Sequence, residues 1–530
     1  MRTSLIPLLC SCVGLACGSD TTSTDAMDGG AATTGEMETG TSVGETESID
    51  GSGSMPEPFE PYPARGVRIT EVYANHGVGV PIVREGQWVE AAQRNAELIR
   101  DRNTLIRGFV AVDTDFVPRE IEARLTLTYG DGREEIATRN VFIEGDSVPN
   151  DLDTNVYFIV PGELLPAGVR FQVELLELTD DWRELPEPDQ VAYPPQPSWV
   201  GIEDSPMTLR VVIVPIDHDL DPQCPEPPEV TDEELQFLSE QLYMYNPVDE
   251  VVLERRDVVP YTGALTSFSG LLGFLAELRE QDNADPAAYY YGVVRPCDGG
   301  ADGVGGQAIS IPDFPTQQNA WTRVSMGRWY SSLSSTANTF VHEVGHNQGR
   351  RHIACNGSEG GVNPSYPYPA GDIGVWGFGS IDFALRSPTS SKDYMTYCGN
   401  TWVSDWGWSR VVPFIREITG WASMDAASAE PGQVLVGLVD DAAGSETWFV
   451  TSGLAEGLAA EGVEPLVLTE RGGTKTSLEA ARVPMGDNGA YSIVVQLPAT
   501  VALDDLVGID ALGHAVPQVR LPGRTLSLRP

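Results

Sequence analysis

The sequence predicts a multidomain chain in which an α/β domain stands between two β-sandwich domains, behind a leader and an unstructured segment. Three observations carry this. From about residue 65 to 200, short runs alternate apolar and polar residues between turn signals. From about 205, apolar strand runs alternate with amphipathic helical stretches. After about 425 the helical spacing fades, and strands return between Gly- and Pro-rich turns. At 530 residues the chain is too long for one ordinary core.

Residues 1–17 read as a lipoprotein-type signal peptide. Arg2 precedes an apolar stretch too short to persist as a membrane-spanning helix. The run VGLAC resembles a lipobox and makes Cys17 the lipidation site, with simple secretion as the alternative. Residues 18–64 consist largely of Ser, Thr, Gly, Asp, Glu and Pro, without Lys or Arg. Such a segment buries too little apolar surface to offset its ordering entropy, so it is expected to be a disordered acidic tether. These features place the folded part outside the cytoplasm, as a cell-surface or outer-membrane lipoprotein or a secreted protein. No later run is long and apolar enough to span a bilayer, so membrane contact is expected only through the lipid.

The chain holds 77 acidic and 33 basic residues, a net charge of −44. Only two of the cations are lysines, Lys392 and Lys475. Nucleic acid and anionic membrane surfaces need clustered cations, so neither is an expected partner. The acidity itself reads as solubility.

Residues 65–204 supply the first sandwich, through runs such as RGVRITEVYA, NTLIRGFVAV and IEARLTLTYG and turns such as Tyr129-Gly130-Asp131-Gly132. Its lone histidine, His76, reads as structural. Residues 205–425 open with the strand run MTLRVVIVPI. TDEELQFLSEQLYMY follows, with Thr231 as N-cap and an acidic first turn. SFSGLLGFLAELRE is a second helix and AYYYGVVR a strand. The Gly-rich GGADGVGGQ leads into the short strand AISIP, and a further helix begins near Ser334 or Ser335. Residues 426–530, with WFVTS, EPLVLTE, YSIVVQLP and VPQVRLP, are expected to form the second sandwich.

That third helix carries VHEVGHNQGRRHIAC, residues 341–355, which holds three of the chain's six histidines. Residues four apart share a helix face, so His342 and His346 project side by side, a spacing that suits two imidazoles on one zinc ion. Glu343 can reach the open side of that metal. Gly349 tolerates the backbone turn that brings His352 to the same ion. A closed structural zinc site using Cys355 is the alternative, but it has no need of Glu343.

His342-Glu343-Val344-Gly345-His346-Asn347-Gln348-Gly349-Arg350-Arg351-His352 resembles the HExxHxxGxxH motif of metzincin zinc endopeptidases. Asp393-Tyr394-Met395-Thr396-Tyr397-Cys398 stands where that family carries its methionine turn, with Met395 beneath the ligands. The resemblance spans roughly 205–425. YPYPAGDIGVWGFG and the WVSDWGW run resemble secreted bacterial metzincins of the dictomallein-like, glycoprotein-cleaving kind. Ile353 departs from the residue that marks astacins, matrixins or adamalysins. The resemblance implies one catalytic zinc ion, Glu343 as general base, and Tyr397 as a group that swings between metal and oxyanion. It implies a protein or glycoprotein substrate, and a substrate-pairing strand at Ala308, Ile309, Ser310 and Ile311. Trp402, Trp406 and Trp408 lie where the family builds its side-chain pocket, or else belong to the core.

If Cys10, Cys12 and Cys17 are removed or lipidated, Cys224, Cys297, Cys355 and Cys398 remain, with three possible pairings. Cys355 with Cys398 is preferred, because it clips both halves of the metal site, and Cys224 with Cys297 then follows. Asp217, Asp219 and Asp221 alternate like calcium ligands but lack the full loop spacing, so Ca²⁺ is unsupported. His218 and His514 receive no role. The reading is an extracellular zinc endopeptidase. Its rival is a surface adhesin or binding protein in which the zinc domain is a scaffold, and Glu343 favours the enzyme.

Overall fold

The alternating runs that follow residue 65 form two antiparallel sheets packed face to face. One has the strand order Gln87–Trp88, Gly79–Arg84, Val67–Asn75, Thr104–Val112, Val156–Val160. The other runs Ala192–Trp199, Arg170–Glu177, Arg119–Thr128, Glu134–Ile143. In Arg119–Thr128 every second residue is buried, so Ile121, Ala123, Leu125 and Leu127 enter the core while Glu122 and Arg124 face outward. The computed structural model describes residues 59–187, 190–219, 222–297, 301, 303–357, 359–421, 432–486 and 489–528. The signal peptide with Cys17, the tether up to residue 58, and Asp221 lie outside the described residues.

The tether ends sooner than expected. Tyr62 and Ala64 are buried, with the Ala64 N–H on Leu175 O at 2.9 Å and the Tyr62 hydroxyl on Thr179 O at 2.9 Å. Apolar side chains among the prolines are enough to dock this stretch on the sandwich.

The middle of the chain builds a mixed sheet in the order Glu250–Arg255, Thr208–His218, Ala288–Val294, Val324–Arg328, Gly306–Ala308. The first four strands are parallel and Gly306–Ala308 is an antiparallel edge. Period two divides its faces. Leu209, Val211, Ile213, Tyr289 and Tyr291 share a core with helices α1 (Asp232–Tyr245) and α3 (Leu333–Asn347). Val214, Ile216, Tyr290 and Val294 pack with α2 (Ser269–Gln281). As expected, Thr231 is the N-cap of α1, and Glu234 completes a capping box, each satisfying the other's backbone N–H.

The C-terminal strands make one continuous nine-stranded sheet curled over its own core. Its two layers are therefore halves of one sheet. In Gln433–Asp440 both faces are buried. Leu435 and Val439 point into the sheet's own core, while Val434, Val436 and Leu438 share a core with α2. The whole is mostly β with four α-helices among the described residues, a multidomain arrangement of the predicted class.

A helix absent from the sequence reading, α4 (Asp405–Gly420), follows the methionine turn. Ser404 caps it, accepting the Gly407 N–H at 2.9 Å. Its Trp408, with Trp402, is fully buried against the first sandwich. Trp402 Nε1 donates to Gly77 O at 2.7 Å, and Trp408 Nε1 donates to Glu97 O at 3.1 Å. Arg102 bolts the same seam. Its guanidinium donates to the carbonyls of His76, Tyr243, Asn246 and Val248 and lies over the Tyr243 ring.

Candidate metal centre

α3 begins at Leu333, slightly ahead of the expected start, because Ser332 caps it by accepting the Ser335 N–H at 3.3 Å. The helix ends at Asn347, and Gly349 has φ +79°. A Cβ at Gly349 would also stand 2.6 Å from Pro312 O. Only glycine meets both conditions at no cost. The Arg350 N–H then returns to Gly345 O at 3.0 Å, and the chain turns so that His352 faces the helix.

The three imidazoles converge. His342, His346 and His352 are 8%, 0% and 1% exposed, and their ligand nitrogens lie within 4.8 Å of one another. Each Nδ1 is tied to a backbone carbonyl: His342 to Tyr394 O at 2.8 Å, His346 to Arg350 O at 2.7 Å, His352 to Gly360 O at 2.7 Å. A carbonyl only accepts, so every Nδ1 carries a proton, which makes Nε2 the nitrogen of each ring that can bind a metal. Nε2 of His346 and of His352 are 3.2 Å apart, close to the ~3.3 Å edge of a tetrahedron with zinc–nitrogen bonds of about 2.0–2.1 Å. The trio can hold a metal ion such as zinc.

The methionine turn backs this group. Met395 is fully buried, and a Cβ on Gly345, which lies between the two helical histidines, would meet its Sδ at 2.7 Å. The glycine lets the sulfur pass directly beneath the helix. Ile353, after the third histidine, donates to Met395 O at 3.0 Å. Asp393 holds the turn by accepting the Met395 N–H at 3.0 Å and the Ser404 hydroxyl, and it pairs with Arg350. Burial, the largest influence, would lower Arg350, but the Asp393 carboxylate together with Tyr394 and Tyr366 outweighs it and holds the guanidinium above its ordinary value.

Glu343 and His342 line an open cleft of about 310 Å³. Its other walls are Gly303–Gly306, Asn338 and Thr339 on one side and Thr396, Tyr397 and Gly399 on the other. A Cβ at Gly306 would stand 2.7 Å from Glu343 Cγ, so the bare backbone of the edge strand lets the glutamate fit against it. Behind Glu343, burial first and the Glu343 charge second hold the Tyr291 phenol well above its ordinary value, and it stays neutral. Tyr397, 41% exposed, stands over the group with its ring 4.8 Å from that of His352 and 6.0 Å from that of His342.

One expectation changes, and one choice left open is decided. Of Ala308, Ile309, Ser310 and Ile311, only Ala308 belongs to the edge strand, and the other three are buried behind it. The strand is set two residues upstream, where glycines border the cleft. Trp402 and Trp408 are core side chains at the sandwich seam. Trp406, partly buried, packs on Arg350 and Tyr366, and none of the three lines the cleft.

Cys355 is bonded to Cys398 and Cys224 to Cys297, the preferred pairing. Between the first two lies Glu359, which sequence reasoning passed over. Its carboxylate accepts the N–H groups of Cys355, Gly357 and Tyr397 at 3.1–3.3 Å. Burial pushes the Glu359 pKa up, yet backbone N–H groups, its own and those of Tyr397, Cys355 and Asn356, outweigh it together and hold the group below its ordinary value. It thus braces the loop whose Gly360 carbonyl orients His352. The available signal was an acid in a Ser/Gly loop shortly after Cys355.

Among the described residues, the only other cluster of metal-ligand types is Cys355, Glu359 and Cys398, and its thiols are joined in the disulfide. Asp217 and Asp219 belong to no such cluster. His218 is structural, accepting the Cys297 N–H and donating to Gly263 O. His514 pairs with Glu446 at the surface.

No family model matches the sequence, and no curated protein matches it. Among solved structures the chain is similar to metalloproteinase-II from Bacteroides fragilis, at 10% identity and a TM-score of 0.21, over 47% of this chain and 78% of that one. It is also similar to a calcium-binding mutant of Bacteroides uniformis beta-glucuronidase 2, at 13% identity and a TM-score of 0.13, over 43% of this chain and 27% of that one. Likenesses this low carry no weight for function, which rests on the geometry.

Proposed function

We propose that the protein is an extracytoplasmic zinc endopeptidase of the metzincin type that hydrolyses peptide bonds in proteins or glycoproteins. The observation that carries this reading is the convergence of three carbonyl-oriented imidazoles, one of which, His342, lines a cleft bordered also by Glu343 and the glycines at 303, 305 and 306. Zinc, when bound, would activate a water at neutral pH and polarise the scissile carbonyl. His342, His346 and His352 would hold it through Nε2. Glu343 takes the proton of the attacking water on its carboxylate and passes it to the leaving amine. The Tyr397 hydroxyl donates a hydrogen bond to the oxyanion. Gly303–Gly306 offers its backbone to an extended substrate, which adds to the sheet as a further strand.

The two disulfides support a site outside the cytoplasm. Among the described residues no helix is long and apolar enough to cross a membrane, and lipidation at Cys17 belongs to the same proposal. So do the domain divisions at 65–204, 205–425 and 426–530.

One observation favours a binding role beside catalysis. A groove of about 570 Å³ between the first sandwich and residues 374–388 is lined by Tyr73, Phe109 and Trp376 with Arg84 and Arg107. The test is zinc content and hydrolysis of an unfolded protein and a mucin by the chain starting at Phe59. One zinc per chain with chelator-reversible cleavage supports the peptidase. One zinc without cleavage moves the binding role ahead.

A further inference from the structure

The C-terminal sheet reaches the metal centre. Its strands Lys475–Pro484 and Tyr491–Leu497 are joined by a turn in which Gly486 has φ +95°. A Cβ at Gly486 would stand 2.7 Å from Nε2, 2.9 Å from Cδ2 and 3.1 Å from Cε1 of His346. A position on the lone-pair axis would lie much nearer Nε2 than the two carbons. The near-equal distances place Gly486 over the face of the imidazole instead. His346 is therefore held at one edge by Arg350 O and on one face by this glycine.

Met485 is buried in the core shared with α2, and its N–H bonds Ala490 O at 3.1 Å. Nearby, Asp313 N–H donates to Gly457 O at 2.7 Å, Pro312 bridges to Leu458, and Arg351 pairs with Glu461. These contacts seat the C-terminal sheet against the strand and turn that flank the ligands.

We propose that Gly486 is a positioning residue of the metal centre, which makes the C-terminal sheet part of that centre. Its bare backbone holds the His346 ring so that Nε2 stays aimed at the point shared with His342 and His352. The proposal rests on the metal-binding part of the reading above, and not on peptide hydrolysis.

Gly486→Ala and Gly489→Ala in the full chain test it. Both glycines have positive φ, so both substitutions strain the turn, but a Cβ at Gly489 meets nothing within 4 Å. Zinc affinity is read by competition with a chromophoric chelator, and ligand geometry by the visible spectrum of the cobalt(II)-loaded protein. The expected result is a fall in zinc affinity of about 10–100-fold and an altered cobalt spectrum for Gly486→Ala alone. Equal effects of the two substitutions, or no effect of either, overturn the proposal. Should Gly486→Ala not fold, hydrogen exchange of the unsubstituted chain decides: zinc must slow exchange of the Met485 amide, and an unchanged rate overturns the proposal. A parent that binds zinc, shows the Gly486 effect and cuts nothing would sink the peptidase reading and leave this one standing.

Discussion

Arg350 and Asp393 form a buried ion pair at 3.4 Å that joins the turn bringing in His352 to the turn carrying Met395. Both side chains are essentially inaccessible, and the guanidinium lies between the rings of Tyr394 and Trp406. Two segments some forty residues apart are thereby fixed around one group of ligands. Asp393→Asn strands the Arg350 charge, and removing one partner of such a pair costs about 3–5 kcal/mol. Urea unfolding should show that loss, and Arg350→Met with Asp393→Leu should lose less than Asp393→Asn alone. A single variant with the parent's midpoint would contradict this role.

Arg102 makes a related prediction at the seam with the first sandwich. Among the described residues no carboxylate forms a direct ion pair with it. Its charge is met by four carbonyls, and burial pushes its pKa down to about 10. Arg102→Met removes a donor from each of those carbonyls, of which Asn246 O still accepts the Val248 N–H, and each buried unsatisfied group costs about 1–3 kcal/mol. The expected outcome is a loss of several kcal/mol, on the order of the sum for two such groups. Stability within 1 kcal/mol of the parent would instead fit a sandwich that is only loosely attached, in the manner of a removable propeptide.

His76 gives that seam a pH dependence. Burial first, and Arg102 second, hold its pKa well below the ordinary 6.5, and Thr104 and Trp408 complete its surroundings. The unfolded chain takes up this proton near pH 6.5 and the folded chain does not. The stabilisation is therefore complete above that pH and declines as pH falls below it, by up to about 1.4 kcal/mol per unit. In His76→Gln the glutamine can still accept the Ile99 N–H that bonds His76 Nε2. Thermal unfolding from pH 7.5 to 5.5 should show the parent's advantage over this variant shrinking towards acid. A constant gap would rule out His76 as the source.

The metal site was legible because its logic is local. Helical spacing pairs His342 with His346, and a glycine at 349 permits the turn to His352. Alternation likewise marked the strands of both β regions. The misses have a common cause, in that distant residues decide them. α4 carries no clear helical signal because Gly407 and Pro413 interrupt it, yet Trp408, Val411 and Ile415 make it a helix by burying one face. The edge strand, Gly306–Ala308, is three residues at the end of a glycine-rich run without pattern, set by the space Glu343 needs at Gly306. Alternation also cannot say which strands share a sheet, so the C-terminal layers are found joined in one.

Glu343→Gln tests the central claim most directly, with zinc content and cleavage rate measured on the same preparation. The substitution keeps the side chain's size against Gly306 and removes its capacity to accept a proton. The account predicts one zinc per chain at the parent's affinity and cleavage reduced by about 10²–10⁴-fold. A variant that binds zinc and cuts at the parent's rate would contradict it.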